Sequence, residues 1–134
     1  MTTFSWPVRI YYEDTDAGGV VFYANYLKFF ERARTEMLRT MGFEQDQLRS
    51  AQGIIFVVRS VQVDYLMPAK FNDLLNVTAK ISAAKKASLT FEQLITRGDA
   101  ILTTGVIRIA CLDAVTMRPK AIPEILFEQL ENEH

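Results

Sequence analysis

The sequence predicts an α+β fold in which a mostly antiparallel sheet covers one long helix. Three observations carry this expectation. Apolar residues recur at helical spacing over a single long stretch, Phe22 to Met41. Most of the chain beyond Gly53 alternates with period two, the mark of strands with one buried face. Two of the segments between the alternating runs are of hairpin length.

In chain order, Trp6 to Tyr12 reads first as a strand, with Pro7 near its start and Val8, Ile10, Tyr11 and Tyr12 behind it. It runs into Glu13-Asp-Thr-Asp-Ala-Gly-Gly19, an acidic loop rich in turn formers. In the helix, Tyr26, Phe29, Phe30, Ala33 and Met37 fall at i, i+3, i+4, i+7 and i+11. Lys28, Glu31, Arg32, Thr35, Glu36 and Arg39 lie mostly off that stripe, and Arg32 can pair with Glu36 four residues on. Gly42 is placed to end the helix. Glu44 to Gln52 is expected as a short second helix ended by Gly53.

Four strands come next. Their inward faces are Val61, Val63 and Tyr65 in the run from Val57; Leu75, Val77, Ala79 and Ile81; Leu89, Phe91 and Ile95, with Gln93 the polar exception; and Ile107, Ile109 and Cys111 in the run from Thr103. Ala84-Lys-Lys-Ala87 and Arg97-Gly-Asp-Ala100 are the hairpin turns. Pro119 and Pro123 precede an amphipathic tail, Glu124 to Glu131. The Tyr26–Met37 stripe is the one apolar surface large enough to cover the sheet, so the sheet should wrap around that helix. Such a sheet keeps its edge strands, which invites pairing with a second copy.

Composition bounds the function. The chain has 134 residues, 49% of them hydrophobic and 23% charged, which fits one globular domain, residues 1–134, able to bury a core of its own. Fifteen Lys and Arg against sixteen Asp and Glu leave no basic excess, which argues against nucleic acid as a partner. One cysteine excludes an internal disulfide and a cysteine-based zinc site. No targeting signal and no membrane-spanning stretch is read in the sequence, so a cytoplasmic protein is expected, free or peripheral to a membrane. The only histidine is His134, which argues against a Ser-His-Asp triad, a Cys-His dyad and histidine acid–base chemistry in general. No nucleotide-binding or nucleophile-elbow motif occurs, and no metal or cofactor is expected.

The candidate site is the loop ahead of the helix. Asp16 stands just before Gly18-Gly19, and the helix begins a few residues on. Paired glycines let backbone approach a ligand closely, and a helix start offers unpaired N–H groups. Those are the parts of an oxyanion hole, with Asp16 available as nucleophile or general base. On spacing alone, the favoured reading is that Asp14, Thr15 and Asp16 only shape a turn and cap the helix.

The run Tyr12-Glu-Asp-Thr-Asp-Ala-Gly-Gly-Val-Val-Phe-Tyr-Ala-Asn-Tyr26, then Phe30-Glu-Arg-Ala-Arg-Thr-Glu36, closely resembles the hot-dog acyl-CoA thioesterases of the 4-hydroxybenzoyl-CoA thioesterase class. Within that class it is most similar to the YbgC type, associated with the bacterial Tol-Pal envelope system; Asp64-Tyr-x-x-Pro-Ala69 supports the likeness. The resemblance implies a catalytic Asp16, a backbone N–H at Tyr23 that polarises the thioester carbonyl, and a Gly18-Gly19 turn that shapes the approach. It implies that the basic pair Lys85-Lys86 lies against coenzyme A phosphates, with Arg118 and Lys120 serving similarly. Without the resemblance, that pair reads as a solvated turn. It also implies a homo-oligomer, a dimer or dimer of dimers such as a homotetramer, with sites at the subunit interface. The substrate class is acyl-CoA or acyl carrier protein thioesters; the alternative is a non-hydrolytic acyl-group or acyl-carrier-protein partner linked to the cell envelope. A hot-dog dehydratase fits poorly, because those enzymes resemble one another in using a histidine. Cys111 reads as a small buried strand residue, Glu31 as a surface or tethering residue, and Tyr11 and Tyr12 as core or interface.

Overall fold

A computed structural model describes residues 3–133; His134, on which the exclusion of histidine chemistry turns, lies outside the described residues. Five strands, β1 (Phe4–Arg9), β2 (Ile54–Tyr65), β3 (Leu74–Lys85), β4 (Ser88–Arg97) and β5 (Ala100–Asp113), form one antiparallel sheet in the order β1-β3-β4-β5-β2. The helix α1 (Asn25–Thr40) packs its buried stripe into the core against β3 and β1. A short helical segment comes after it, α2 (Gln45–Gln47) running into a π-turn at Leu48–Gln52, and α3 (Glu124–Glu133) closes the chain. No helix among the described residues is long and apolar enough to cross a membrane.

The helical stripe is buried as expected: Tyr26, Phe29, Phe30, Ala33 and Met37 pack into the core with Leu38. Gly42 ends the helix at φ 92°, with Phe43 N–H on the Leu38 carbonyl and Gly42 N–H on that of Arg39, which satisfies two carbonyls the helix would leave open. The inward faces of β3 and β4 are buried throughout. Their hairpin turns at Lys86-Ala87 and Gly98-Asp99 are tight, with Lys85 opposite Ser88 and Arg97 opposite Ala100. Gln93 is buried because its amide is fully partnered. Its Oε1 accepts from Arg34 Nη1 at 3.0 Å, and its Nε2 donates to the Phe30 and Thr78 carbonyls at 3.0 and 3.1 Å. It thereby joins α1 to two strands, and it gives a partner to an arginine that is itself only 8% exposed.

Several expectations are corrected. The first strand ends at Arg9, because Tyr12–Asp14 turn into a 3₁₀ segment closed by the Asp14 carboxylate on Tyr11 N–H at 2.8 Å. Tyr11 and Tyr12 are not in the core of the chain; they are exposed, with Tyr12 stacked on Phe71 at 3.9 Å between ring centres. The helix begins at Asn25 rather than Phe22. Glu36 pairs with Arg39, while Arg32 lies over the Phe29 ring at 5.7 Å. Of the expected β2 face only Val63 packs against the core, half-buried; Val61 and Tyr65 are exposed on this edge strand, which passes a bulge at Arg59.

Candidate active site

The loop between β1 and α1 is a small hairpin docked on a second loop. Ile10 N–H donates to the Asp73 carbonyl, Asn72 N–H donates to the Ile10 carbonyl, Val21 N–H reaches the Ala69 carbonyl, and Val20 bridges Lys70. Within the hairpin, Thr15 pairs with Val21, Asp16 N–H donates to Val20 O at 2.9 Å, and Gly19 N–H donates to Asp16 O at 3.0 Å. Gly19 at φ 81° supplies the left-handed residue that this three-residue turn requires. Nothing lies within 4 Å of where a Gly19 side chain would begin, so glycine is needed there for backbone conformation and not for space.

Asp16 is exposed at the tip. Its Oδ1 accepts the Gly18 N–H at 2.8 Å, a bond that orients the carboxylate and leaves Oδ2 without a partner among the described residues. A side chain at Gly18 would begin 3.2 Å from Oδ1, tight enough to press on that carboxylate.

The chain then turns into the helix. Phe22 N–H donates to Asp14 O at 3.0 Å, Asn25 Nδ2 to the same oxygen at 2.9 Å, and Asn25 N–H to Phe22 O at 2.9 Å. The N–H groups of Tyr23 and Ala24 donate to nothing among the described residues. Tyr23 is 63% exposed, and its ring tilts against Phe22 and meets Tyr65 edge-on. Beside it a cavity of about 240 Å³ is lined by Val21, Tyr23, Tyr26, Tyr65, Met67 and Pro68, among others. Asp16, Gly18, Gly19 and Tyr23 thus belong to one unit, an oriented carboxylate and open backbone donors next to an aromatic hollow.

The basic residues form a second group. Lys85 and Lys86 are exposed at the β3–β4 turn. Ile122 N–H binds the Lys86 carbonyl, Lys120 N–H that of Cys111, and Asp113 N–H that of Arg118, so Arg118 and Lys120 return to the same end of the sheet. Lys120 Nζ stands 3.7 Å from the Asp113 carboxylate, which is held below the ordinary range by the Thr116 and Val115 N–H groups and then by Lys120. Cys111 beneath them is fully buried, and burial pushes its thiol up to about 11, so it is a packing residue and not a nucleophile. The structure does not bring this group to Asp16 within one chain. The Asp16 hairpin docks ahead of Leu74 and the lysines come after Ala84, about 35 Å of strand at ~3.3 Å per residue.

Sequence reasoning missed three contributors: Asn25, which ties the helix start to the hairpin; Tyr65, whose hydroxyl donates to Tyr23 O at 3.1 Å; and the Asp73–Arg97 pair at 2.7 Å. The last secures the loop on which the hairpin rests. The Asp64-Tyr-x-x-Pro-Ala69 run carried the signal for Tyr65; the alternation of β2 instead assigned that ring to the core.

A five-stranded antiparallel sheet packed on one long helix, with this turn at the helix start, is the hot-dog fold of thioester hydrolases. Comparison with known proteins agrees, for the profile of the thioesterase superfamily matches residues 18–104, and the chain belongs to that superfamily. It is 50% identical over 121 residues to the acyl-CoA thioesterase YbgC of Haemophilus influenzae, covering 90% of this chain and 89% of that one. It is 43% identical to the acyl-CoA thioester hydrolase YbgC of Escherichia coli O6:H1, covering 97% of each. The crystal structure of a probable thioesterase from Bartonella henselae superposes with a TM-score of 0.87 at 36% identity, covering 91% of this chain and 100% of that one.

Proposed function

We propose that this thioester hydrolase cleaves acyl-CoA with Asp16 as the reacting carboxylate and the Tyr23 N–H as the donor to the thioester carbonyl. The observation that carries the reading is the open N–H at Tyr23 in the same hairpin unit as a carboxylate with a free oxygen. An N–H already positioned needs no reorganisation when charge develops on the carbonyl oxygen. A carboxylate is a weak base toward water, so direct attack is the favoured route. Asp16 adds to the thioester carbon, the C–S bond breaks, and the coenzyme A thiolate leaves and takes a proton. Water then cleaves the mixed anhydride to the free acid and restores the carboxylate.

Asp16→Asn keeps the size and removes the charge; kcat is expected to fall by about 100-fold or more. Near-normal turnover would remove Asp16 from the chemistry. A single turnover in ¹⁸O water places label in Asp16 when water attacks the anhydride at the aspartyl carbon.

The assembly belongs to the same proposal. The β2 edge exposes Val58, Val61 and Tyr65, which supports pairing of two hot-dog domains, each spanning residues 1–134, and a dimer of dimers beyond that. A neighbouring copy then brings Lys85, Lys86, Arg118 and Lys120 to the nucleotide end of a substrate held at Asp16. The setting is cytoplasmic; the link to the Tol-Pal system and use of acyl carrier protein thioesters rest on the resemblance alone.

A further inference from the structure

Tyr65 ends β2 at the rim of the cavity beside Tyr23. Its ring meets Tyr23 edge-on at 6.2 Å and tilts over Tyr26 at 5.4 Å; the Tyr26 hydroxyl in turn accepts Ala69 N–H at 3.0 Å. The aromatic packing aims the Tyr65 hydroxyl at the Tyr23 carbonyl, 3.1 Å away. Desolvation by burial, reinforced by Tyr23 and Tyr26, pushes that hydroxyl above its ordinary value, which favours its protonated, donating form.

Two successive peptides share one arrangement at this point. In the Phe22–Tyr23 peptide the carbonyl accepts Asn25 N–H and the Tyr23 N–H is open. In the Tyr23–Ala24 peptide the carbonyl accepts the Tyr65 hydroxyl and the Ala24 N–H is open. A hydrogen bond accepted at a peptide oxygen holds the peptide plane and polarises its N–H. We propose that Tyr65 is a positioning residue for thioester hydrolysis, whose hydroxyl fixes and polarises the Tyr23–Ala24 peptide so that the N–H groups on either side of residue 23 face the developing oxyanion together. This rests on the reading that the Tyr23 N–H receives the thioester carbonyl. It adds a second donor, Ala24, and names the group that orients it.

Tyr65→Phe keeps the ring and its packing and removes only the hydroxyl. The expected result is a fall in kcat of about tenfold, less than the loss of a whole oxyanion donor, with KM held within about twofold. The melting temperature should stay near that of the parent, since the ring is 45% exposed and its contacts remain. An unchanged kcat overturns the proposal, and so does a variant that loses stability or affinity while kcat holds, because that marks a merely structural role. A spectroscopic arm separates this proposal from the reading beneath it. Acyl-CoA labelled with ¹³C at the thioester carbonyl is bound to Asp16→Asn, and its carbonyl stretch is compared with that in water. A downward shift that shrinks in Asp16→Asn/Tyr65→Phe supports the proposal. A shift that persists in full overturns it and leaves the Tyr23 reading standing. No shift in either protein overturns both.

Discussion

The two ends of the sheet are built differently. At one end, ahead of β3, the Asp16 hairpin has almost no core of its own: Asp16, Gly18, Gly19 and Tyr23 are all exposed. Backbone-to-backbone bonds to residues 69–73 hold it in place. At the other end, beyond β3, the Lys85-Lys86 turn joins two strands whose inward faces are buried, and both lysines are exposed. The first end fixes a carboxylate and open N–H groups to a defined geometry. The second offers diffuse positive charge, which suits phosphate but needs no exact placement. On the proposed function, the chemistry that must be oriented falls where hydrogen bonds are dense, and the attraction that need only be nearby falls on a turn.

The comparison can be broken at either end. The largest effect belongs to Asp16→Asn, which should act on kcat alone. Next is the charge reversal Lys85→Glu with Lys86→Glu. It should raise KM for acyl-CoA by about tenfold and leave kcat little changed, because the lost contact is equal in ground and transition states. Mixing this variant with Asp16→Asn sharpens the test. If the two ends meet across copies, co-refolded mixtures assayed well below KM should exceed the sum of the two variants' separate activities; simple additivity would place both ends in one chain's site.

A substitution between the ends is the control. At Gly105 a side chain would begin 2.8 Å from Phe30 Cε2, a ring locked in the core. Gly105→Ala should therefore cost about 1–3 kcal/mol in denaturant melts. Both kinetic parameters should stay near normal well below the transition.

The smallest effect is expected at Asp73. Desolvation pushes its carboxyl up, but the Lys70 N–H bond and then Arg97 outweigh it, and the net shift is downward. A carboxyl lowered in the folded state contributes stability above its unfolded value, near 3.8, and loses that contribution as pH falls through the folded one. Asp73→Asn should thus lower the melting temperature slightly at pH 7, and the gap from the parent should close in acid below pH ~4. A gap constant with pH would show that the charge on Asp73 contributes nothing.

Much of the fold was legible in the chain. The stripe from Tyr26 to Met37, the alternation of β3 and β4 and the two tight hairpins are local patterns, and the structure keeps each. The Asp16-x-Gly-Gly turn was legible as a turn, because side-chain bonding and a left-handed glycine are properties of a few consecutive residues. The same alternation misled for β2, since period two says which residues share a face and not whether anything covers that face. Gln93 broke the pattern of β4 for a reason that needed its partners, Phe30 and Arg34 from α1 and Thr78 from β3.

The sequence alone therefore determined the fold class, the family resemblance and the identity of the candidate carboxylate, all of which rest on spacing and residue type within short stretches. Only the tertiary structure decided which N–H groups stay open, that Tyr65 turns from the core to the Tyr23 carbonyl, and that the basic turn lies a strand's length from Asp16. Those facts depend on where chain segments separated by dozens of residues come to rest, and such placement is set by packing and closure of the whole sheet rather than by any local preference.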